Sequence, residues 1–253
     1  DFTGASLSIT PRTLHVTADP QTKVYGAADP TLSYTVTGLQ FNDTADSVLS
    51  GGLARAAGET VGGSPYAIGE GTLASNGNYT LDFTGANLTI TPRTLHVTAD
   101  PQTKVYGAAD PALSYAVSGL QFNDTKATVL TGGLAREAGE SVGGSPYAIG
   151  KGDLAANTNY TLDFTGANLT ITPRTLHVTA DARSKVYGAP DPALGYSVTA
   201  ADLQFGQAAG DVLSGGLTRA AGESVGGSPY AIGKGDLAAN SNYTLDFTGA
   251  NLT

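Results

Sequence analysis

Apolar and polar positions alternate along much of this chain. Leu88 and Ile90 are spaced by Thr89, and after Pro92-Arg93 the residues Leu95 and Val97 are spaced by His96. A period of two marks half-buried strands. Proline removes a backbone donor and biases Thr91 toward an extended conformation. The chain therefore passes from one strand into the next across two residues, without a flexible loop. The same stretch recurs at residues 168–179 and, slightly altered, at 6–17. It reads as a joint between tandem domains, and the joint predicts a rod.

The first copy contains the remaining elements. Residues 13–18 form a strand with Leu14, Val16 and Ala18 inward, and Leu32, Tyr34 and Val36 form a second. Asn42-Asp43-Thr44 reads as a helix start, with Asp43 as N-cap, Val48 and Leu49 facing the core and Gly51-Gly52 as the stop, giving a helix of about two turns. Short strands follow around Gly62-Gly63-Ser64-Pro65. The clearest strand is 78–85, with Tyr79, Leu81 and Phe83 inward, and 87–91 closes the domain. The expected core is Leu14, Val16, Leu32, Tyr34, Val36, Phe41, Leu49, Ile68, Tyr79, Leu81, Phe83, Leu88 and Ile90. The layout is α+β, mostly β: a mainly antiparallel sheet with one short helix in each domain.

Self-similarity is the strongest signal. Tyr25, Tyr106 and Tyr187 are spaced by 81 residues, as are Pro11, Pro92 and Pro173, and residues 11–91 differ from 92–172 at 13 of 81 positions. The third copy carries two extra residues in Ala200-Ala201-Asp202. A period of this length suits a small autonomous domain rather than a solenoid unit. The chain divides into 12–92 as repeat 1, 93–173 as repeat 2 and 174–253 as repeat 3, whose last strand is truncated. Residues 1–11 match the closing strand and are assigned to a preceding repeat, so a longer parent protein is expected.

Composition narrows the function classes. A net charge of −9 argues against nucleic acid as a partner. No apolar run approaches the roughly 18 residues of a spanning helix, so no membrane insertion is expected. Cysteine is absent, which removes disulfides and thiolate chemistry and fits export through oxidising space.

Candidate chemistry is sparse. His15, His96 and His177 each lie between inward residues of a strand and so point to solvent. No nucleophile elbow or glycine-rich phosphate loop is present, so the chain is not expected to be an enzyme. No catalytic, cofactor-binding or metal residues are assigned. Asp19, Asp29, Asp43 and Asp82 recur in the copies, but there is no EF-hand-type loop, and capping accounts for Asp29 and Asp43. Tyr25 and its copies suit packing on their own sheet or on a neighbouring domain, with sugar stacking as the alternative. Eight N-x-[ST] sequons, including Asn42, Asn78 and Asn87, are the yield of threonine-rich strands.

Several spaced motifs agree in order with one family. Lys23-Val24-Tyr25-Gly26-Ala27-Ala28-Asp29-Pro30, then Leu32-Ser33-Tyr34-Thr35-Val36-Thr37-Gly38, resembles the MBG repeats of the YGX type. Asn42-Asp43-Thr44, Arg55-Ala56-Ala57-Gly58-Glu59, Val61-Gly62, Tyr66-Ala67-Ile68, Asn78-Tyr79-Thr80-Leu81 and Leu88-Thr89-Ile90-Thr91-Pro92 match as well. The third copy departs at Gly206-Gln207-Ala208, which puts its helix cap in question. The resemblance implies β-grasp-like domains in a large secreted bacterial adhesin of the haemagglutinin-like kind, and it carries over no site. The expected role is a structural stalk at the bacterial cell surface. Its partners would be the other repeats of the polypeptide, and a host or neighbouring-cell ligand reached through a tip domain elsewhere. The alternative is a tandem adhesive module binding glycan, matrix protein or neighbouring cells by avidity.

Overall fold

The computed structural model describes residues 3–253; the first two positions of the expected 1–11 strand lie outside them. The chain forms two compact units. One takes in the chain up to Val97 together with Val117–Gly132 and Leu154–Phe164, and the other Thr98–Ala116, Gly133–Asp153 and Thr165–Thr253. The division passes through the second repeat, so each unit holds one junction between successive repeats.

In the first repeat the strands are β1 (Arg12–Ala18), β2 (Gln21–Val24) and β3 (Tyr34–Thr37), followed by the helix α1 (Ala45–Val48). Next come β4 (Leu49–Ser50), β5 (Ala54–Arg55), β6 (Tyr66–Gly69), β7 (Ala74–Ser75), β8 (Tyr79–Thr84) and β9 (Ala86–Thr91). They build a three-stranded sheet in the order β3-β1-β8, a four-stranded sheet β2-β9-β6-β5 and a two-stranded ribbon β4-β7. The protein is thus mostly β with few helices, in three tandem repeats.

The pairing is mainly antiparallel, as expected, with four antiparallel ladders in the first repeat, but it also contains two parallel ones. The two longest-range ladders, β1 with β8 and β2 with β9, are parallel, and the others are antiparallel. Alternation reports which face a side chain takes and carries no information on strand direction. A parallel pair needs a long crossover, and here nearly the whole repeat lies between β1 and β8.

The alternation itself holds. Leu14 and Val16 are fully buried and Ala18 nearly so, while His15 between them is exposed. Leu14 and Val16 pack with Val48, Leu49, Leu73 and Tyr79 between the three-stranded sheet and the helix. Ile68, Leu88 and Ile90 are buried in the four-stranded sheet, together with Tyr66 and Lys23.

Two local readings need correction. The helix is one turn, and its N-cap is Thr44 rather than Asp43. The Ser47 hydroxyl accepts from the Thr44 N–H at 2.9 Å and donates to the Thr44 carbonyl, which closes the turn. Phe41 is not core: it is wholly exposed, with φ +56°.

The third repeat keeps its helix at Ala209–Val212 despite the altered cap, because the Asp211 carboxylate accepts from the Ala208 N–H at 2.7 Å. The counterpart of β2 is reduced to a parallel bridge between Arg183 and Leu252, beside a closing strand of only three residues, Ala250–Leu252. Residues 3–11 carry no strand, and Leu7 and Ile9 are exposed. Their sequence equivalents Leu88 and Ile90 are buried between β2 and β6, flanking strands that residues 3–11 lack.

Candidate functional site: a tyrosine junction

Tyr25 follows β2 directly. Its N–H donates to the Thr91 carbonyl at 2.9 Å, which extends the β2–β9 ladder to the edge of the joint. Next to it Gly26 has φ +78°, and a Cβ there would lie 2.3 Å from the Gln121 side chain. Only glycine permits both the left-handed turn and this approach. The turn drives the Tyr25 ring into the second repeat. The ring meets Phe122 and Tyr160 edge-on, with centroids 5.3 and 5.2 Å away.

The Tyr25 hydroxyl donates to the Asp124 carboxylate at 3.0 Å, and Tyr160 donates to the same oxygen at 2.6 Å. Asp43, the counterpart of Asp124, accepts from Tyr79 at 2.6 Å. The aspartate read as a helix cap is therefore a tyrosine acceptor. Burial and the carboxylate push Tyr160 up to about 12, and the same two causes raise Tyr25. Phe122 holds φ +52°, a backbone region rarely taken by bulky residues, and this turns its ring toward Tyr25.

Three further hydrogen bonds close the junction. The Val61 N–H donates to the Asn159 side-chain oxygen at 2.9 Å. Arg93 donates from its backbone to the Asn159 carbonyl at 3.0 Å and from its guanidinium back to the Tyr25 carbonyl at 3.2 Å. The arginine of the Pro-Arg joint thus holds both repeats at once.

The second junction repeats the design. Tyr106 meets Phe205 and Tyr243 edge-on, Val142 donates to Asn242, and Arg174 donates to the Tyr106 carbonyl. Gln207 stands in place of the aspartate, and its side-chain oxygen accepts from Tyr243 at 2.7 Å and from Tyr106 at 3.4 Å. Tyr187, the third of the series, is 74% exposed, whereas Tyr25 and Tyr106 are 5% and 4% exposed.

A second recurring cluster lies behind the tyrosine. Lys23 on β2 and Arg55 on β5 come from opposite edges of the four-stranded sheet, and both reach Asp29 and Glu59. Lys23 contacts Asp29 and Glu59 at 2.6 Å each, and Arg55 forks onto Asp29 at 2.7 and 3.0 Å and also pairs with Glu59. The Arg55 guanidinium lies over the Tyr66 ring at 5.7 Å. Lys23 is buried. Burial opposes its charge, but the two carboxylates outweigh this and raise its pKa. Hydrogen bonds from Arg55 and then Lys23 lower Asp29 to about 2, and Lys23 leads in lowering Glu59. Asp29, expected to cap a turn, is thus one corner of an ion quartet. The quartet recurs as Lys104, Asp110, Arg136 and Glu140, and as Lys185, Asp191, Arg219 and Glu223.

The other singled-out residues have simpler places. His15 and His96 are exposed and pair with Asp82 and Asp163 at 2.7 and 2.8 Å. His177 lies 3.5 Å from the equivalent Asp246 and also meets Asp202, from the two-residue insertion, at 2.8 Å, and the latter bond raises its pKa. Asp19 accepts from the Ser33 hydroxyl at 2.7 Å. Asn42, Asn78 and Asn87 are exposed, while Asn159 and Asn242, the counterparts of Asn78, are hydrogen-bonded within the junctions. Sequence reasoning did not single out the quartet or the Phe122 and Asn159 contacts. The recurring Lys-Val-Tyr-Gly and Arg-x-x-Gly-Glu strings were the available signal for the quartet.

Residues 14–89, 95–170 and 176–253 match a family model described as MBG domain (YGX type). Comparison with curated proteins finds no match, and comparison with solved structures finds none.

Proposed function

Because the chain belongs to the MBG domain family of YGX type, we propose that its repeats form a stiff extracellular spacer in a bacterial surface adhesin. Each repeat is read as β-grasp-like, and the repeats are read as a rod that holds a functional region away from the cell. The observation that carries the proposal is the tyrosine junction. The recurring tyrosine of the first two repeats is buried against the following repeat, which suits fixing of orientation rather than ligand capture. Strands rise about 3.3 Å per residue, so three repeats set end to end would extend on the order of 100 Å.

Small-angle scattering of the whole chain tests this. A maximum dimension near 100 Å is expected from the strand rise, and a value near 60 Å would remove the rod. Saturable binding of the same chain on a glycan array would move the role from spacing to adhesion.

A further inference from the structure

In the first repeat the opening and closing strands pair directly. β1 runs parallel to β8 from Arg12–Tyr79 to Thr17–Thr84, and β2 runs parallel to β9 from Gln21–Leu88 to Val24–Thr91. Partners differ by 67 positions in both ladders, as Arg12 with Tyr79 and Val24 with Thr91 show. The chain therefore keeps one register while it crosses from the three-stranded sheet into the four-stranded one. Residues 12–24 and 79–91 form a single parallel ribbon. Its two tips are extended by the Arg12 N–H on the Asn78 carbonyl at 3.0 Å and the Tyr25 N–H on the Thr91 carbonyl at 2.9 Å.

The ribbon recurs. Residues 102–105 of the second repeat pair in parallel with 169–172, again 67 positions apart. In the third repeat, residues 174–179 pair with 243–248 and Arg183 bridges Leu252, both 69 positions apart. The two extra residues at Ala200-Ala201-Asp202 lengthen the crossover and leave the ribbon's register intact.

This register decides how a repeat meets a pull along the chain. Tension enters the first repeat at Arg12, after Pro11, and leaves at Thr91, before Pro92. In a parallel ribbon these residues lie at opposite tips, so the pull drags the two segments past each other lengthwise. The interstrand hydrogen bonds are loaded together and must give together. Had the opening and closing strands been antiparallel, both loaded ends would share one tip and the bonds would open one at a time. Packing resists the sliding as well. Leu14 and Val16 of β1 share one core cluster with Leu81 and Phe83 of β8. On β2, buried Lys23 pairs with Glu59, which follows β5, and sliding would draw the ammonium from that carboxylate.

We propose that the repeats carry tension along the polypeptide, each acting as a shear clamp whose load-bearing part is the parallel ribbon. The proposal rests on strand direction and register and does not depend on the spacer reading. A compact arrangement of the repeats would remove the rod and leave the clamp as it is.

Single-molecule pulling on the full chain tests it, with handles on two introduced cysteines, since the chain has none of its own. Thr13, Thr80 and Thr84 are exposed, and Thr13 is paired with Thr80. Thr13→Cys with Thr84→Cys loads the β1–β8 ladder from opposite ends, and Thr13→Cys with Thr80→Cys loads it from one end. The two variants release nearly the same segment, so direction is what differs between them. Forced unfolding is governed by the unfolding barrier, and shear loading makes that barrier the loss of the whole ladder. At one loading rate the opposite-end variant should unfold at about twice the force or more. Denaturant unfolding has no direction and should not separate the two variants. In the third repeat, Thr175→Cys with Thr248→Cys and Thr175→Cys with Thr244→Cys repeat the comparison at exposed positions, should a first-repeat variant fail to fold. Equal forces in the two directions, or a higher force for loading from one end, would overturn the proposal.

Discussion

At the scale of single residues, one tyrosine has two meanings in this chain. Tyr25 and Tyr187 occupy equivalent positions, yet the first is buried between Phe122 and Tyr160 and the second lies open. Truncating a buried aromatic removes its transfer energy and leaves a cavity, so Tyr25→Ala should cost about 3 kcal/mol. Tyr187→Ala should change stability by less than about 0.5 kcal/mol. Denaturant titration of the full chain compares them, and equal costs would contradict the junction. Phe41 and Phe122 make a parallel contrast. Both sit at positive φ, which costs a bulky residue roughly 1–2 kcal/mol. Phe41→Gly relieves that strain while removing an exposed ring, and the entropy cost of glycine leaves a net gain of about 0.5–1 kcal/mol. Phe122→Gly also loses an edge-on aromatic pair worth about 0.5–1.5 kcal/mol and should yield no gain. The thermal midpoint should therefore rise for Phe41→Gly and not for Phe122→Gly.

At the scale of elements, the strands were legible because alternation marks faces directly. Leu14, Val16, Leu88 and Ile90 are buried where expected and His15 is exposed. Strand direction was not legible, since the parallel β1–β8 ladder joins segments separated by nearly a whole repeat. Phe41 was misplaced because hydrophobicity suggests burial, whereas a phenylalanine at this position stays largely exposed even where a tyrosine of the preceding repeat meets it edge-on: Phe122 and Phe205 are 62% and 63% exposed. The ion quartet was hidden because a lysine on a strand reads as solvent-facing until Asp29 and Glu59 are brought to it from turns. It ties β2 to β5, and its pH dependence follows from its carboxylates. Asp29 is lowered to about 2 from 3.8, and Glu59 is lowered as well. Groups with depressed folded pKa values stabilise the fold above their unfolded values and lose that contribution as pH falls through the folded ones. The thermal midpoint should hold from neutral pH to about 4 and drop between about 4 and 2. Asp29→Asn should be less stable at neutral pH and should show a shallower acid drop. An equally steep drop in the variant would place the acid sensitivity elsewhere.

At the scale of the whole molecule, the account turns on what happens where one repeat meets the next. Pro92 limits the backbone, Arg93 bonds to both repeats, and Tyr25 fills the socket beyond it. A spacer needs that joint to hold one orientation. The chain has no cysteine, so Thr80→Cys and Thr161→Cys place two unique spin labels at equivalent exposed positions of the first and second repeats. Pulsed dipolar spectroscopy then reads the distribution of distances across the joint. The account predicts a single narrow distribution in the otherwise unaltered chain and a clearly broader one when Tyr25→Ala is added. Equal widths with and without the Tyr25 ring would contradict it.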